Sequence, residues 1–424
     1  MDELVYWVWL SLACTPGKDT FIKLFERFSS PKEIYSADDE AIASLIGSRS
    51  RDYKAITDRE LKAAEKVLEF CCRRGVGILK YSDEAFPAAL RKIETPPVLL
   101  YYRGSLPDFN SEFFVSVVGT RRLSDYGRRN AFSIAHDLSR AGAIIVSGMA
   151  IGIDAVAHSG ALAADRPTVA VIGSGIDVCY PKQHLRLARE IVKKGCVLTE
   201  YAPGTGPERF NFPARNRIIS GLCAATLVVE GKEKSGALIT ARYAKAQGRT
   251  VYALPGNVGN INSELTNLLI KNGAKLCTSA DDIIRDFEPD SLGMLNSFSL
   301  TEKATVDMNK ILSELQVSAV AQGDSIFRRS TSRKERAKKE SKKPTETQNT
   351  VESVPDSVEK MPDLNGFDKK AVMLYKKIPL GEECSIETLI DDELSLRDVM
   401  KGLLKLEIGR FVTMLPGEKV KRNF

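Results

Sequence analysis

The stretch Glu208-Arg209-Phe210-Asn211-Phe212-Pro213-Ala214-Arg215-Asn216-Arg217 sets three arginines among two phenylalanines, directly before the run IISGL. Guanidinium groups suit backbone phosphates, and phenyl rings offer faces to unstacked bases, so the alternation fits a binder of single strands. The competing reading makes the rings core anchors and the arginines partners of nearby carboxylates. Around this stretch, five apolar runs close on glycine: SVVGTRR (116–122), VSGMAIGID (146–154), VIGSGID (171–177), KSGALIT (234–240) and LPGNVGN (254–260). Helical patterns follow these turns. A helix N-terminus presents unpaired N–H groups and the positive end of a dipole, which suit phosphate oxygens.

Individual positions take roles from this chemistry. At Gly119 the missing Cβ admits a phosphate to the backbone, and Arg121 can fork onto its oxygens. Gly148 and Gly152 precede Asp154, which is expected as a helix N-cap. Asp154 and His158 lie four apart on one helical face, the spacing of an acid–base pair in a hydrolase reading, but no further acid or nucleophile stands nearby in sequence. Capping by Asp154 and packing of His158 beneath the loop is the preferred reading. Lys234 and Ser235 open another helix, with Ser235 as its N-cap, and Pro255-Gly256-Asn257 forms a further exposed turn.

These residues need a scaffold that brings the turns together. Strand-like runs recur at Val76–Tyr81, Val98–Tyr102, Val115–Val118, Ala143–Ser147, Thr168–Ile172, Val197–Thr199, Ala225–Val229 and Thr250–Leu254. From Val115 onward helical patterns separate most of them, which predicts an α/β fold: an extended Rossmann-like, doubly wound parallel sheet. Such a sheet sets its glycine turns along the carboxyl edge of the strands, where ligands of these folds bind. The apolar runs alternate little, as strands covered on both faces should.

Four segments follow. Residues 1–75 read as short helices, loosely like a SAM or helix-hairpin-helix module, and 76–288 as the Rossmann-like domain. Residues 289–361 read as a charged, largely disordered linker with one helix at Val306–Val317. Residues 362–424 read as a winged helix: helices at Ala371–Lys376, Ser385–Ile390 and Ser395–Leu406, then a hairpin of Phe411–Leu415 and Lys419–Arg422 around Pro416-Gly417. The expected recognition helix balances acids and bases, which favours protein contact over duplex reading.

Composition narrows the function classes. In 424 residues, 27% charged and 43% hydrophobic, the net charge is +6. Arg328–Lys343 alone holds nine Lys/Arg against Glu335 and Glu340, so the rest is close to neutral and nucleic-acid binding must use a local cluster. Three histidines and eight cysteines without a CxxC pair argue against a metal centre or a disulfide framework. The run YWVWLSLA is too short to span a bilayer and lacks a basic start, so no membrane association and a cytoplasmic location are expected.

As a set, GTRRLSDYG, SGMAIGIDAVAH, GSGIDVCYP, TEYAPG, FPARNRIISGL, SGALITARYA and LPGNVGN…LIKNGA resemble the DprA/Smf family over about Val115–Ile283. Cys223, where serine is frequent, and Gly231, where alanine often follows VVE, depart from the common pattern. The resemblance implies a non-enzymatic protein without cofactor that binds single-stranded DNA, forms a homodimer and loads RecA in natural transformation. The resemblance further implies that such a protein displaces or bypasses single-strand-binding protein. It places DNA contacts at Arg121, Arg209, Phe212 and Arg215, with Lys234 and Ser235 at the flank; the residue chemistry adds Gly119, Gly148 and Arg217 to the expected DNA contacts. The dimer contacts fall at Leu268, Leu269 and Ile270. The main alternative is a nucleotide phosphoribohydrolase of the lysine-decarboxylase-like type, with Glu264 of PGNVGNINSE as its acid; another is an interaction scaffold with a vestigial Rossmann domain.

Overall fold

The computed structural model describes residues 3–287, 295, 306–317, 369–379, 383–389, 398–399, 402–403, 406–407, 411–415 and 419–422. The basic run 328–343 and most of the expected helix 395–406 lie outside them. The chain divides into two units, Met1–Arg333 and Lys334–Phe424.

The first unit is built on a nine-stranded sheet of β1 (Gly77–Lys80), β2 (Leu99–Gly104), β3 (Phe114–Val118), β4 (Ile144–Ser147), β5 (Thr168–Val171), β6 (Cys196–Thr199), β7 (Ala225–Val228), β8 (Thr250–Ala253) and β9 (Lys275–Leu276). Their order is β1-β2-β6-β5-β4-β3-β7-β8-β9. From β3 onward the pairings are parallel, in a register that sets Val115 opposite both Ile145 and Ala225. The sheet is not parallel throughout: β1 and β2 add an antiparallel pair on the β6 edge. The chain winds outward from β3 to β6, then returns to lay β7 on the other side of β3. The loops after β3 and β7 therefore diverge, and a crevice opens at this switch in strand order.

Both faces of the central strands are covered. Val115 and Val117 of β3 pack with Phe132, Ile153 and Val156 from the helices Asp125–Arg140 and Ile153–Ala163. Phe114 and Val118 face the other way, with Ile218, Ile219 and Ala237 from the helices Asn211–Gly221 and Gly236–Ala246. Alternate residues of one strand thus feed two cores, the period-2 geometry of a strand. Ser124 starts the first of these helices by accepting the Gly127 N–H at 3.1 Å. The expected helix near 306–317 is present as Met308–Glu314, with Leu312 and Leu315 buried against the unit.

Six helices between Leu4 and Arg74 carry a third core around Trp7, Leu10, Phe21 and Leu24, continuous with Tyr101 of β2 and Val197 of β6. Among the described residues no helix is long and apolar enough to cross a membrane.

In the second unit the helix Lys369–Lys377 accompanies a three-stranded antiparallel sheet of β10 (Glu383–Ser385), β11 (Val412–Leu415) and β12 (Lys419–Arg422), ordered β10-β12-β11. The expected hairpin is β11–β12, with Met414 opposite Val420. β10 was not expected, and the second helix reduces to a 3-10 turn at Ile386–Leu389.

Candidate nucleic-acid interface

At the switch in strand order an open cleft of about 530 Å³ lies between the turns after β3, β4 and β7 and the start of the Asn211–Gly221 helix. Gly119, Arg121, Arg209, Phe212, Arg215, Lys234 and Ser235 all line it. Arg122 and Lys232 raise its basic side chains to six, against Asp154 as the one carboxylate of the lining. Such a wall attracts polyanions through a local field, although the chain as a whole is nearly neutral outside its basic run.

Backbone contacts hold the turns in place. The Thr120 N–H donates to Glu230 O at 2.8 Å, and the Ile153 N–H donates to Thr120 O at 3.2 Å. A Cβ at Gly119 would lie 2.6 Å from Ile153 Cγ1 and 2.9 Å from Glu230 O, so packing requires this glycine. Beneath, Glu230 is buried and accepts the Ser124 N–H at 2.9 Å and its hydroxyl at 2.5 Å.

Asp154 is not the N-cap. Gly152 occupies that position at φ +93°, where a Cβ would strike Thr120 O, and the helix begins at Ile153. Asp154 sits in the first turn, accepts the Ala150 N–H at 3.4 Å and lies beside the Arg215 guanidinium. Arg215 is 4% exposed and donates to Gly148 O at 2.8 Å, to Val171 O and to Asn216 Oδ1 at 3.2 Å. Burial lowers the Arg215 pKa to about 10, with the Asp154 charge opposing that shift. Burial raises that of Asp154, with Arg215 opposing. At neutral pH Arg215 remains a cation set into the cleft floor. Gly148 makes this possible, since a Cβ there would come within 2.6 Å of both Arg215 Nη1 and Asp154 Oδ2.

Phe212 stands half-buried in the wall between this cleft and a small cavity under Gly148. The Arg121 and Arg215 guanidinium carbons lie 5.9 Å and 6.0 Å from its ring centre, and Tyr180 packs at 5.5 Å. Both guanidinium groups are within cation–π range, so the ring aligns two charges as well as offering surface. Tyr180 was missed in the sequence, though it lies within the quoted GSGIDVCYP. Arg209 and Lys234 are exposed on the rim. Ser235 holds the N-cap position of the Gly236–Ala246 helix without a cap hydrogen bond, and its Oγ is buried without a partner. That hydroxyl lies 2.9 Å from where a Gly231 Cβ would sit, turned away from solvent, so what this turn offers the cleft is the helix N-terminus beside Lys234.

Arg217 does not join the group. It is 1% exposed and pairs with Glu200 at 2.7 Å, while its Nε donates to Thr95 O at 2.8 Å. For this arginine the carboxylate-partner reading holds. His158 is also buried, 2.8 Å from Thr168 Oγ1, and burial, with His184 and Arg215 adding to it, lowers its pKa to about 3. It packs against the start of β5 and carries no charge at neutral pH. Glu264 is exposed in the first turn of the Glu264–Lys271 helix and is not among the cleft's lining residues. No set of three or more potential metal ligands occurs among the described residues.

Leu268 and Leu269 line a second groove, about 540 Å³, between that helix, the Gly236–Ala246 helix and the β8–β9 edge. Ile270 is half-buried on the same helix. Lys234 is shared by both cavities, and Arg242, Lys245, Arg249 and Lys275 rim the second.

Residues 77–288 match the family described as DNA recombination-mediator protein A. The chain is 45% identical over 206 residues to the DNA processing protein DprA of Streptococcus pneumoniae, covering 49% of this chain and 72% of that protein. It is 32% identical over 426 residues to Protein Smf of Synechocystis sp., covering 100% of this chain and 99% of the relative. The X-ray structure of DprA from Streptococcus pneumoniae matches with a TM-score of 0.58 at 34% identity, over 68% of this chain and 98% of the other.

Proposed function

Because this chain belongs to the DNA recombination-mediator protein A (DprA/Smf) family, we propose that it binds single-stranded DNA in the switch-point cleft and hands the strand to RecA. It does so without catalysing a reaction, as a cytoplasmic homodimer joined through the helix that carries Leu268, Leu269 and Ile270. The observation that carries the DNA reading is the composition of one open cleft. Six basic side chains, the N-terminus of the Gly236–Ala246 helix and the Phe212 ring line the same space. Phosphates take the cations and N–H groups, and bases take the aromatic surface. A mononucleotide site has no need of so many cations. Displacement of single-strand-binding protein belongs to the same proposal, with the winged-helix tail as a protein-contact module.

The test is fluorescence anisotropy with a labelled oligothymidylate and a matched duplex. Single strands should bind at micromolar concentration or tighter. With three to four phosphates neutralised, the slope of log K against log[salt] should be about −2 to −3. Equal affinity for the duplex, or base release from nucleoside monophosphates that disappears in Glu264→Gln, would overturn the reading.

A further inference from the structure

The two phenylalanines of RFNFPARNR have opposite environments. Phe212 is held among Tyr180, Arg121 and Arg215, with its Cδ1 3.1 Å from where a Gly173 Cβ would sit. Phe210 is 73% exposed, the largest exposure of an aromatic side chain among the described residues, and makes no ring contact there. It sits between Arg209, which lines the cleft, and Asn211, which is buried and opens the Asn211–Gly221 helix. Its backbone is the N-cap position of that helix, at the end of the 200–210 connection, so the ring is carried at the helix start next to a residue of the cleft lining. An exposed apolar side chain needs no explanation when it stands alone on a surface. Here the next residue along the chain is a cation of the cleft, and beyond the cleft mouth a strand's next base would be unstacked.

Resting on the single-strand reading above, we propose that Phe210 is a second base-stacking platform, outside the cleft. It takes the base of a nucleotide whose neighbouring phosphate lies against Arg209. Phe212 then orders the arginines within the cleft, and Phe210 extends the track past its mouth. Stacking on a phenyl ring tolerates any base, so the subsite adds affinity with strand length and not sequence preference.

The experiment measures affinity for oligothymidylates of about 4 and about 16 nucleotides, the ends of the range of single-strand site sizes, using the full chain and its Phe210→Ala and Phe210→Tyr variants. Phe210→Ala should weaken the long oligomer roughly tenfold, the value of one stacked base, and leave the short one unchanged. Phe210→Tyr should restore the loss. In Phe210→Trp the new indole emission should be quenched by the long oligomer, against a constant background from Trp7 and Trp9, both buried among the N-terminal helices. Unchanged binding of both lengths by Phe210→Ala would overturn the proposal, as would a change in sedimentation with DNA affinity intact, which would make the ring a protein contact. Failure of the unaltered protein to bind single strands would instead remove the reading on which the proposal rests.

Discussion

Two cavities of nearly equal size, about 530 and 540 Å³, lie on either side of Lys234, and their chemistry differs. The first sits where strand order reverses, so its walls are glycine turns and helix N-termini and its cations come from three separate turns and a helix. The second lies at the β8–β9 edge, where the two-residue β9 leaves little sheet to cover, and its walls include the leucines of one short helix. Position in the sheet, more than local charge, separates a cleft open to a flexible anion from a groove suited to another folded surface. Both have basic rims, so charge alone does not distinguish them.

The sharpest way to break that contrast is to remove the same number of charges from each. Arg121→Ala with Arg209→Ala should weaken single-strand binding by about 100-fold or more, from two charge-assisted contacts of at least about 1.5 kcal/mol each. All sequences should weaken alike, since phosphate contacts carry no base information. Arg242→Ala with Lys245→Ala in the second groove should change affinity by no more than about threefold, the effect of a screened distant field. Equal losses from the two pairs would show a single continuous basic surface. Anisotropy titrations at one fixed ionic strength decide between them.

The second groove has its own test. Leu268→Glu places a carboxylate among its leucines, and an unpaired charge in an apolar contact is costly to desolvate. The variant should sediment as a monomer, with self-association weakened about 100-fold or more and with an unchanged circular dichroism spectrum. Single-strand affinity per subunit on short oligomers should remain. A dimer that survives Leu268→Glu would move the contact elsewhere.

How the cleft emerged from the sequence follows the same division. Glycine turns at fixed places after apolar runs state where strands end, so the parallel strands and the gathering of Gly119, Arg121, Arg215 and Ser235 were legible. What a side chain meets across the fold was not. Arg215 and Arg217 are two residues apart, roughly 200° around a helix; one faces the cleft floor and the other faces Glu200 and Thr95, and no local pattern separates them. The same holds for Phe210 and Phe212. The cap at Gly152 was missed because Asp154 has a good capping side chain, while only the contact with Thr120 O reveals that the turn must take a left-handed φ. β9, two residues long, has too few positions to show a period.

A smaller effect probes the floor of the cleft without touching its rim. Gly148→Ala brings a methyl group to within 2.6 Å of Arg215 Nη1 and of Asp154 Oδ2. Overpacking of that kind costs about 1–3 kcal/mol. The side chain that yields should be Arg215, because moving Asp154 would shift the start of its helix. Stability should fall by that amount in urea titrations. Single-strand affinity should fall in parallel, while self-association through the second groove stays as it was. A variant destabilised to the same degree with full DNA affinity would show that Arg215 supports the fold and not the ligand.

The gentlest discrimination comes from pH, because buried histidines lie under the cleft. Thr168 Oγ1 gives its one proton to Ile145 O, so at 2.8 Å it must accept from His158 Nδ1–H. His184 Nδ1 faces Met149 O at 3.0 Å, a carbonyl that can only accept. Both rings therefore carry a proton on Nδ1, and each Nε2 is buried without a partner. Protonation would put a charge on a nitrogen with no acceptor, and for His158 the Arg215 cation adds to that cost. Burial accordingly holds His158 at about 3 and lowers His184 from its ordinary 6.5. A histidine depressed in the folded state contributes stability that is complete above its unfolded value of 6.5 and is lost as pH falls from there towards about 3. Unfolding free energy should be insensitive to these groups above pH 6.5, and below it should decline by up to about 1.4 kcal/mol per pH unit for each histidine. His158→Gln should flatten that decline, although it lowers stability at neutral pH. An unchanged slope would place the acid sensitivity away from the cleft floor. Neither cavity has a histidine in its lining, but His158 acts on Arg215 of the cleft floor, so loss of single-strand binding should precede loss of self-association as the solution is acidified.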